Sequence, residues 1–433
     1  MNDSLSSSTS RKAAAAGPPR RPGSRETVAL LAGLMALNAF AIDAMIPALP
    51  AIGESLGVAE DNHRQLVVVA YMVGFGSTQL LWGPLADRFG RKPILAIGIA
   101  LYAAFALLCG IAGSFALLIA GRVAMGASAA VTRVLVVAMV RDLFEAEAMA
   151  RVMSLVFMVF MLVPVLAPTI GQAILLFAPW RAIFLVLAGY GLIMLAWSHL
   201  RLPETLHPEY RRSLAWRDIG GAAWATIKEP MSRGYTLALA LTFGGLVAYI
   251  SSVQQIVFDA FEAPDAIGLV FAAVAAPMAL ASWANSRIVG RYGLRRVGHC
   301  GALGFALVTT VHAAIATAGY ETLALFIVFQ GLAMACFAFT SSNISTLAME
   351  HMGPIAGTAS SVQGVVGTIG GAAIGFVIGQ AFDGTARPFL WGLAGCALAA
   401  LLIVLLTEPK RLFAGVEDRK ESEQLQPCLP PEV

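Results

Sequence analysis

Charge is what this chain has least of. Only 13% of its 433 residues are Asp, Glu, Lys or Arg, while 58% are hydrophobic and gathered into long blocks. Too little polar surface remains to cover a water-soluble globule, so that class is excluded. The five cysteines, Cys109, Cys300, Cys336, Cys396 and Cys428, have no paired or metal-like spacing, so no disulfide framework, metal site or cofactor is expected. No nucleotide-binding glycine loop occurs, which excludes ATP as the fuel. No serine, histidine and acid cluster falls at membrane depth, so no enzyme is expected, and no nucleic-acid partner either. Acids are scarcest inside the apolar blocks, where Asp43 stands alone.

What is present is the length scale of a bilayer. Stretches of about 20 apolar residues, enough for a helix to cross roughly 30 Å of hydrocarbon, recur along the chain. They are predicted at 28–50, 65–84, 94–112, 116–140, 152–177 and 181–200, then 234–256, 266–288, 297–318, 322–345, 356–381 and 388–407. The expected fold class is all-α integral membrane, with twelve transmembrane helices in two six-helix bundles, 28–200 and 234–407. The connector 201–233 carries Arg211, Arg212, Arg217, Lys228 and Arg233, with room for a short interfacial helix around Trp216 and Trp224. Residues 1–27 are a Ser-, Ala- and Pro-rich basic tail, too polar for a signal peptide, and 408–433 form a second tail.

Orientation follows from the basic residues. Both tails and the loops 85–93, 141–151, 201–233 and 287–296 hold 24 of the 29 Lys and Arg. The positive-inside rule makes that side cytoplasmic, with both termini on it, in a cell inner membrane. Two arginines, Arg122 and Arg133, remain inside a helix.

An internal repeat supports the division into halves. Gly83-Pro84-Leu-Ala-Asp87-Arg88-Phe89-Gly90-Arg91-Lys92-Pro93 follows the second span, and Gly290-Arg291-Tyr292-Gly293-Leu294-Arg295-Arg296 follows the eighth. Parallel six-helix repeats about an axis along the membrane normal are the architecture of a transporter class that binds substrate between its halves.

Residues 83–93 resemble the signature loop of the major facilitator superfamily. Within it the chain is similar to the drug:proton antiporters of the bicyclomycin and chloramphenicol resistance (Bcr/CflA) type. The likeness rests on Asp43 with Pro47-Ala-Leu-Pro50, Gln79-Leu-Leu-Trp-Gly-Pro84, Arg122 with Gly126, and Val140-Arg141-Asp142-Leu143-Phe144. It continues through Ala167-Pro168-Thr-Ile-Gly171, Trp180-Arg181-Ala-Ile-Phe184 and Pro203-Glu204-Thr205. The resemblance implies the major facilitator fold and a multidrug efflux antiporter, driven by the proton gradient, acting as a monomer on small molecules. An exporter of one metabolite, such as an amino acid or siderophore, is the alternative.

Asp43 and Arg122 each lie roughly 10 Å from the outer end of their helices, so at one depth they can compensate each other's burial. A static pair and a proton-carrying Asp43 both fit; the resemblance implies the second. Arg133 lies about 16 Å nearer the cytoplasm, on one stripe with Arg122, Gly126 and Ala129. It is either a cavity charge that contacts substrate or a side chain reaching for the interface. The resembling pattern carries its arginine nearer Ala138, so substrate charge stays open.

In the signature loop, Gly83 and Gly90 suit close helix contact and a tight turn. Asp87 can face the N-terminus of a helix in the other half, and Arg91 can pair with Asp142. The resemblance implies that this cluster latches the outward-open state; Arg88, Arg91 and Lys92 can equally be topology determinants. Pro168 and Gly171 are expected to kink helix five, and the glycines from Gly357 to Gly379 to pack helix eleven closely. Candidate substrate contacts are Phe75 and Gln79, which share a helix face, with Tyr249, Gln254, Asn343 and Arg133.

Overall fold

The computed structural model describes residues 24–144, 146–206, 216–409 and 412–414. The basic tail before residue 24, Arg211 and Arg212 of the connector, and the tail from 415 lie outside the described residues. Apolar length alone dictates the elements. The first half runs α1 (Ser24–Asp43), α2 (Leu49–Ser55), α3 (Leu66–Phe89), α4 (Arg91–Gly110), α5 (Phe115–Leu143), α6 (Ala146–Phe177) and α7 (Arg181–Arg201). After α8 (Trp216–Lys228) come α9 (Pro230–Gln255), α10 (Ile267–Tyr292), α11 (Leu294–Thr317), α12 (Leu323–Ala348), α13 (Ala356–Gln380) and α14 (Arg387–Thr407). Among the described residues, eleven helical stretches are long and apolar enough to cross a membrane, α1 and α2 counting as one. The twelfth is α6, 32 residues long. The chain is an all-α, multi-pass membrane protein with two six-helix bundles.

The first span is not one smooth helix. Pro47 and Pro50 lack the N–H groups that would bond four residues back, so α1 stops at Asp43 and the chain turns through Ile46–Ala48 before α2. The break falls at the lone buried acid. Such irregular backbone at membrane depth persists only where protein or a cavity surrounds it.

The repeated loops build the same turn twice. Gly90 has φ 101° and Gly293 φ 87°, backbone that side chains with a Cβ rarely adopt, and each closes a helix before the next begins. Beside each turn an arginine gathers acids. Arg91 Nε lies 2.6 Å from Asp142 and its Nη2 3.4 Å from Asp87. Arg295 lies 2.7 Å from Glu350 and 2.9 Å from Glu408. We call this end of the molecule the basic face and the opposite end the far face.

Each half has its own apolar core, and a smaller cluster joins them: Val68, Val69 and Met72 of α3 pack with Val247 of α9 and Ala372 of α13. The hydrogen bonds between the halves cluster from this level toward the far face, with one more, from Gln79 to Thr368, about 10 Å nearer the basic face. Asn62 Nδ2 donates to the carbonyls of Gln380 (3.1 Å) and Phe382 (3.0 Å), and Gln65 Nε2 to Gln255 Oε1 (2.5 Å) and the Gly379 carbonyl (3.1 Å). Gln255 and Gln380 return bonds to Asn62 of 3.0 and 2.8 Å. These amide bonds therefore hold the halves together at the far face.

Candidate functional site

The Asp43 side chain is 3% exposed, and among the described residues no hydrogen bond or ion pair reaches its carboxyl group. Three elements enclose the turn that carries it. Gly171 of α6 sits so close to the Ala44 carbonyl that a Cβ would collide with backbone. Ile46 enters the core of the second half, and Tyr249 of α9 lies within electrostatic reach of Asp43. The acid thus stands where both halves meet.

Arg122 is fully buried at the same depth, as its helix position requires, but it does not pair with Asp43. Its Nε donates to the Val67 carbonyl (2.8 Å) and its Nη1 to the Ala41 carbonyl (3.1 Å), and its guanidinium lies 4.5 Å from the Tyr71 ring centroid. Backbone dipoles and an aromatic face supply the compensation that a carboxylate was expected to give. Nη2 has no partner among the described residues. Gly126 and Gly74 make this possible, because each lies where a Cβ would strike the facing backbone of α3 or α5. Tyr71 in turn donates to Asn38 (3.1 Å), which donates to Thr132 (2.7 Å), linking α1, α3 and α5.

Arg133 has an exposed side chain on a stretch of α5 that is otherwise densely surrounded by protein. Val137 and Arg141, four and eight residues on, are exposed on the same helix face down to the basic face.

Of the other candidate contacts, three are engaged by neighbours and two keep orphan groups. Gln79 Nε2 donates across the halves to Thr368 Oγ1 at 3.2 Å. Asn343 clamps α12 to α10 through a 2.7 Å bond to Asn285. Phe75 stacks on Tyr71 with centroids 6.4 Å apart. Tyr249 packs between Phe271 and Phe389, but its hydroxyl and both amide atoms of Gln254 are buried without partners. These orphan groups are available to a polar ligand or water.

In the signature loop the expected Arg91–Asp142 pair is present. Among the described residues Asp87 meets no helix N-terminus of the other half: its carboxylate is 43% exposed and bonded to Arg91 of its own half. Arg88 is exposed. Gly83 makes no unusually close contact, since a Cβ there would sit 3.7 Å from Val134. Pro168 is buried within a continuous α6. On α13, Gly364, Gly371, Gly375 and Gly379 are in close contact, whereas Gly357 and Gly367 face open space.

Two groups went unrecognised in the sequence. The far-face set Asn62, Gln65, Gln255 and Gln380 consists of neutral amides at helix ends, whose pairing only the fold reveals. Glu204, seen there only as part of a motif, caps α4: its carboxylate accepts from the N–H groups of Arg91 (2.9 Å) and Lys92 (3.2 Å). Its neighbour Thr205 donates to Asp142 at 3.0 Å.

The sequence profile of the Major Facilitator Superfamily matches residues 31–260. A bicyclomycin resistance protein homolog of Haemophilus influenzae is 32% identical over 85% of this chain and 92% of its own length. The multidrug resistance protein MdtL of Klebsiella pneumoniae is 26% identical over 88% and 95%. Among solved structures, a D-xylose–proton symporter superposes with a TM-score of 0.65 at 16% identity, covering 88% of this chain and 96% of that one. With its duplicated loop, its twelve spans and this pattern of likeness, the chain belongs to the major facilitator superfamily and is a transporter, not an enzyme.

Proposed function

We propose that the protein is a proton-coupled efflux antiporter for drug-like small molecules, in a cell inner membrane with its basic face and both termini toward the cytoplasm. The observation that carries this reading is the unpartnered Asp43 carboxyl at a helix break between the halves. An uncompensated charge there costs a few kcal/mol or more. Asp43 therefore holds a proton when shut off from water and exchanges it when the cavity opens. Arg122, tied to the carbonyl two residues before Asp43, couples that exchange to the position of α1.

In this cycle the units 28–200 and 234–407 rock about the cavity as monomers. The far-face amide bonds support reading this conformation as the one open to the cytoplasm. Substrate enters from there and Asp43 gives up its proton. The far-face amides then part, Asp87 approaches the start of α13, and Asp43 is reprotonated from outside as substrate leaves. Pro168 and Gly171 hold α6 against the Asp43 turn throughout. No bound cofactor is needed: a gradient of about 150 mV supplies roughly 3.5 kcal/mol per proton, several hundredfold in concentration ratio. The bicyclomycin and multidrug relatives support the substrate class.

The test is transport in proteoliposomes under an imposed pH difference. Uphill movement that stops when the gradient is collapsed, and with Asp43→Asn, supports the proposal. Movement that persists in both cases overturns it. Susceptibility of a deletion strain to toxic compounds, set against its accumulated metabolites, separates drug export from export of one metabolite.

A further inference from the structure

We propose that Arg133 is an anion-recognition group of the transport cavity, so that preferred substrates carry a carboxylate, phosphate or sulfonate. This rests on the transporter reading and narrows its substrate class. The side chain is exposed on a stretch of α5 otherwise densely surrounded by protein, and lies three helical turns from the fully buried Arg122 on the same helix stripe. Among the described residues no ion pair engages it, and the acids at the basic face of the first half are held by other partners: Asp142 and Asp87 by Arg91, and Glu26 by Arg201 at 2.6 Å. Asp43 stands at the level of Arg122, about 16 Å away along α5. A guanidinium in the cavity with no counter-ion among the described residues offers a planar fork of donors, and a carboxylate or phosphate matches that fork with two parallel bonds. Arg141, eight residues on along the same exposed face, extends positive potential to the cytoplasmic mouth, which concentrates anions at the entrance.

The test uses 8-anilinonaphthalene-1-sulfonate and its uncharged counterpart N-phenyl-1-naphthylamine, together with norfloxacin and its methyl ester. Each pair is titrated against the purified full-length protein in an uncharged maltoside detergent, so that lipid phosphates do not compete. A preference of about tenfold or more for the anionic member is expected, falling to within about twofold in Arg133→Gln and partly kept in Arg133→Lys. Equal binding within each pair, a preference unchanged in Arg133→Gln, or no anion binding that depends on Arg133 would overturn it.

A second measurement needs no variant. Phenylglyoxal should modify Arg133 in the intact wild-type protein, and the anionic probes, not their neutral partners, should protect it; an unprotected Arg133 counts against the site. Arg133-dependent anion binding without proton-driven movement would remove the antiporter reading and leave this site standing. Proton-driven efflux of neutral and cationic compounds, indifferent to Arg133, would do the reverse.

Discussion

Arg122 donates to the carbonyl of Ala41, two residues short of Asp43, and leaves the Asp43 carboxyl without a bond. The two buried ionisable groups at this depth therefore have separable duties. Asp43→Asn removes no hydrogen bond and nearly conserves shape, so thermal stability of the purified protein should stay within about 0.5 kcal/mol while proton-driven transport is lost. Arg122→Lys abandons bonds to two carbonyls and should destabilise by about 3 kcal/mol or more, seen as a lowered unfolding temperature. An Asp43→Asn protein that unfolds early would contradict this division.

Gly171 lies where a Cβ would meet the Ala44 backbone, and backbone cannot step aside as a flexible side chain does. Gly171→Ala should push α6 from the Asp43 turn, costing about 1–3 kcal/mol and slowing turnover. Gly395→Ala on α14, facing open space, serves as the control and should be silent in both the thermal-shift and transport assays.

Gln65 contributes two bonds to the far-face seal. Gln65→Ala should weaken the cytoplasm-open state by about 2 kcal/mol, a shift of roughly 30-fold toward the opposite opening. Distance distributions between spin labels across each face report this directly: spread should grow at the far face and shrink at the basic face. Unaltered distributions would mean that the amides are incidental.

Asp87 is half exposed and holds only one long contact, at 3.4 Å. Asp87→Lys should therefore leave equilibrium substrate binding to this conformation within about twofold, since a surface charge contributes little here. Turnover should fall tenfold or more, because the outward-open state loses its docking group. Parallel loss of binding and turnover, measured on one preparation, would refute a role confined to the other conformation.

The spans were legible because bilayer thickness sets a length that apolar blocks must match, and Asp43 was legible as the one acid inside them. Arg91 with Asp142 was legible too, since opposite charges at neighbouring helix feet have few other partners. Arg122's true partners were not: backbone carbonyls are everywhere and leave no trace in residue type. Arg133 stayed ambiguous because helical periodicity fixes a face and not what lies opposite. The amide seal was invisible for a similar reason, as glutamine and asparagine at a helix end look alike whether they bond water or the other half.

The paired arginine buckles, Arg91 with its acids in one half and Arg295 with its acids in the other, confine their bonds to one half each. Rearrangement can pass through the molecule with the Arg91–Asp142 and Arg295 bonds still fastened. The difference in free energy between the two openings then resides in the seam, where a few neutral amides and a small apolar patch are exchanged for other contacts. A seam so lightly fastened lets a driving force of only a few kcal/mol turn the machine over in both directions.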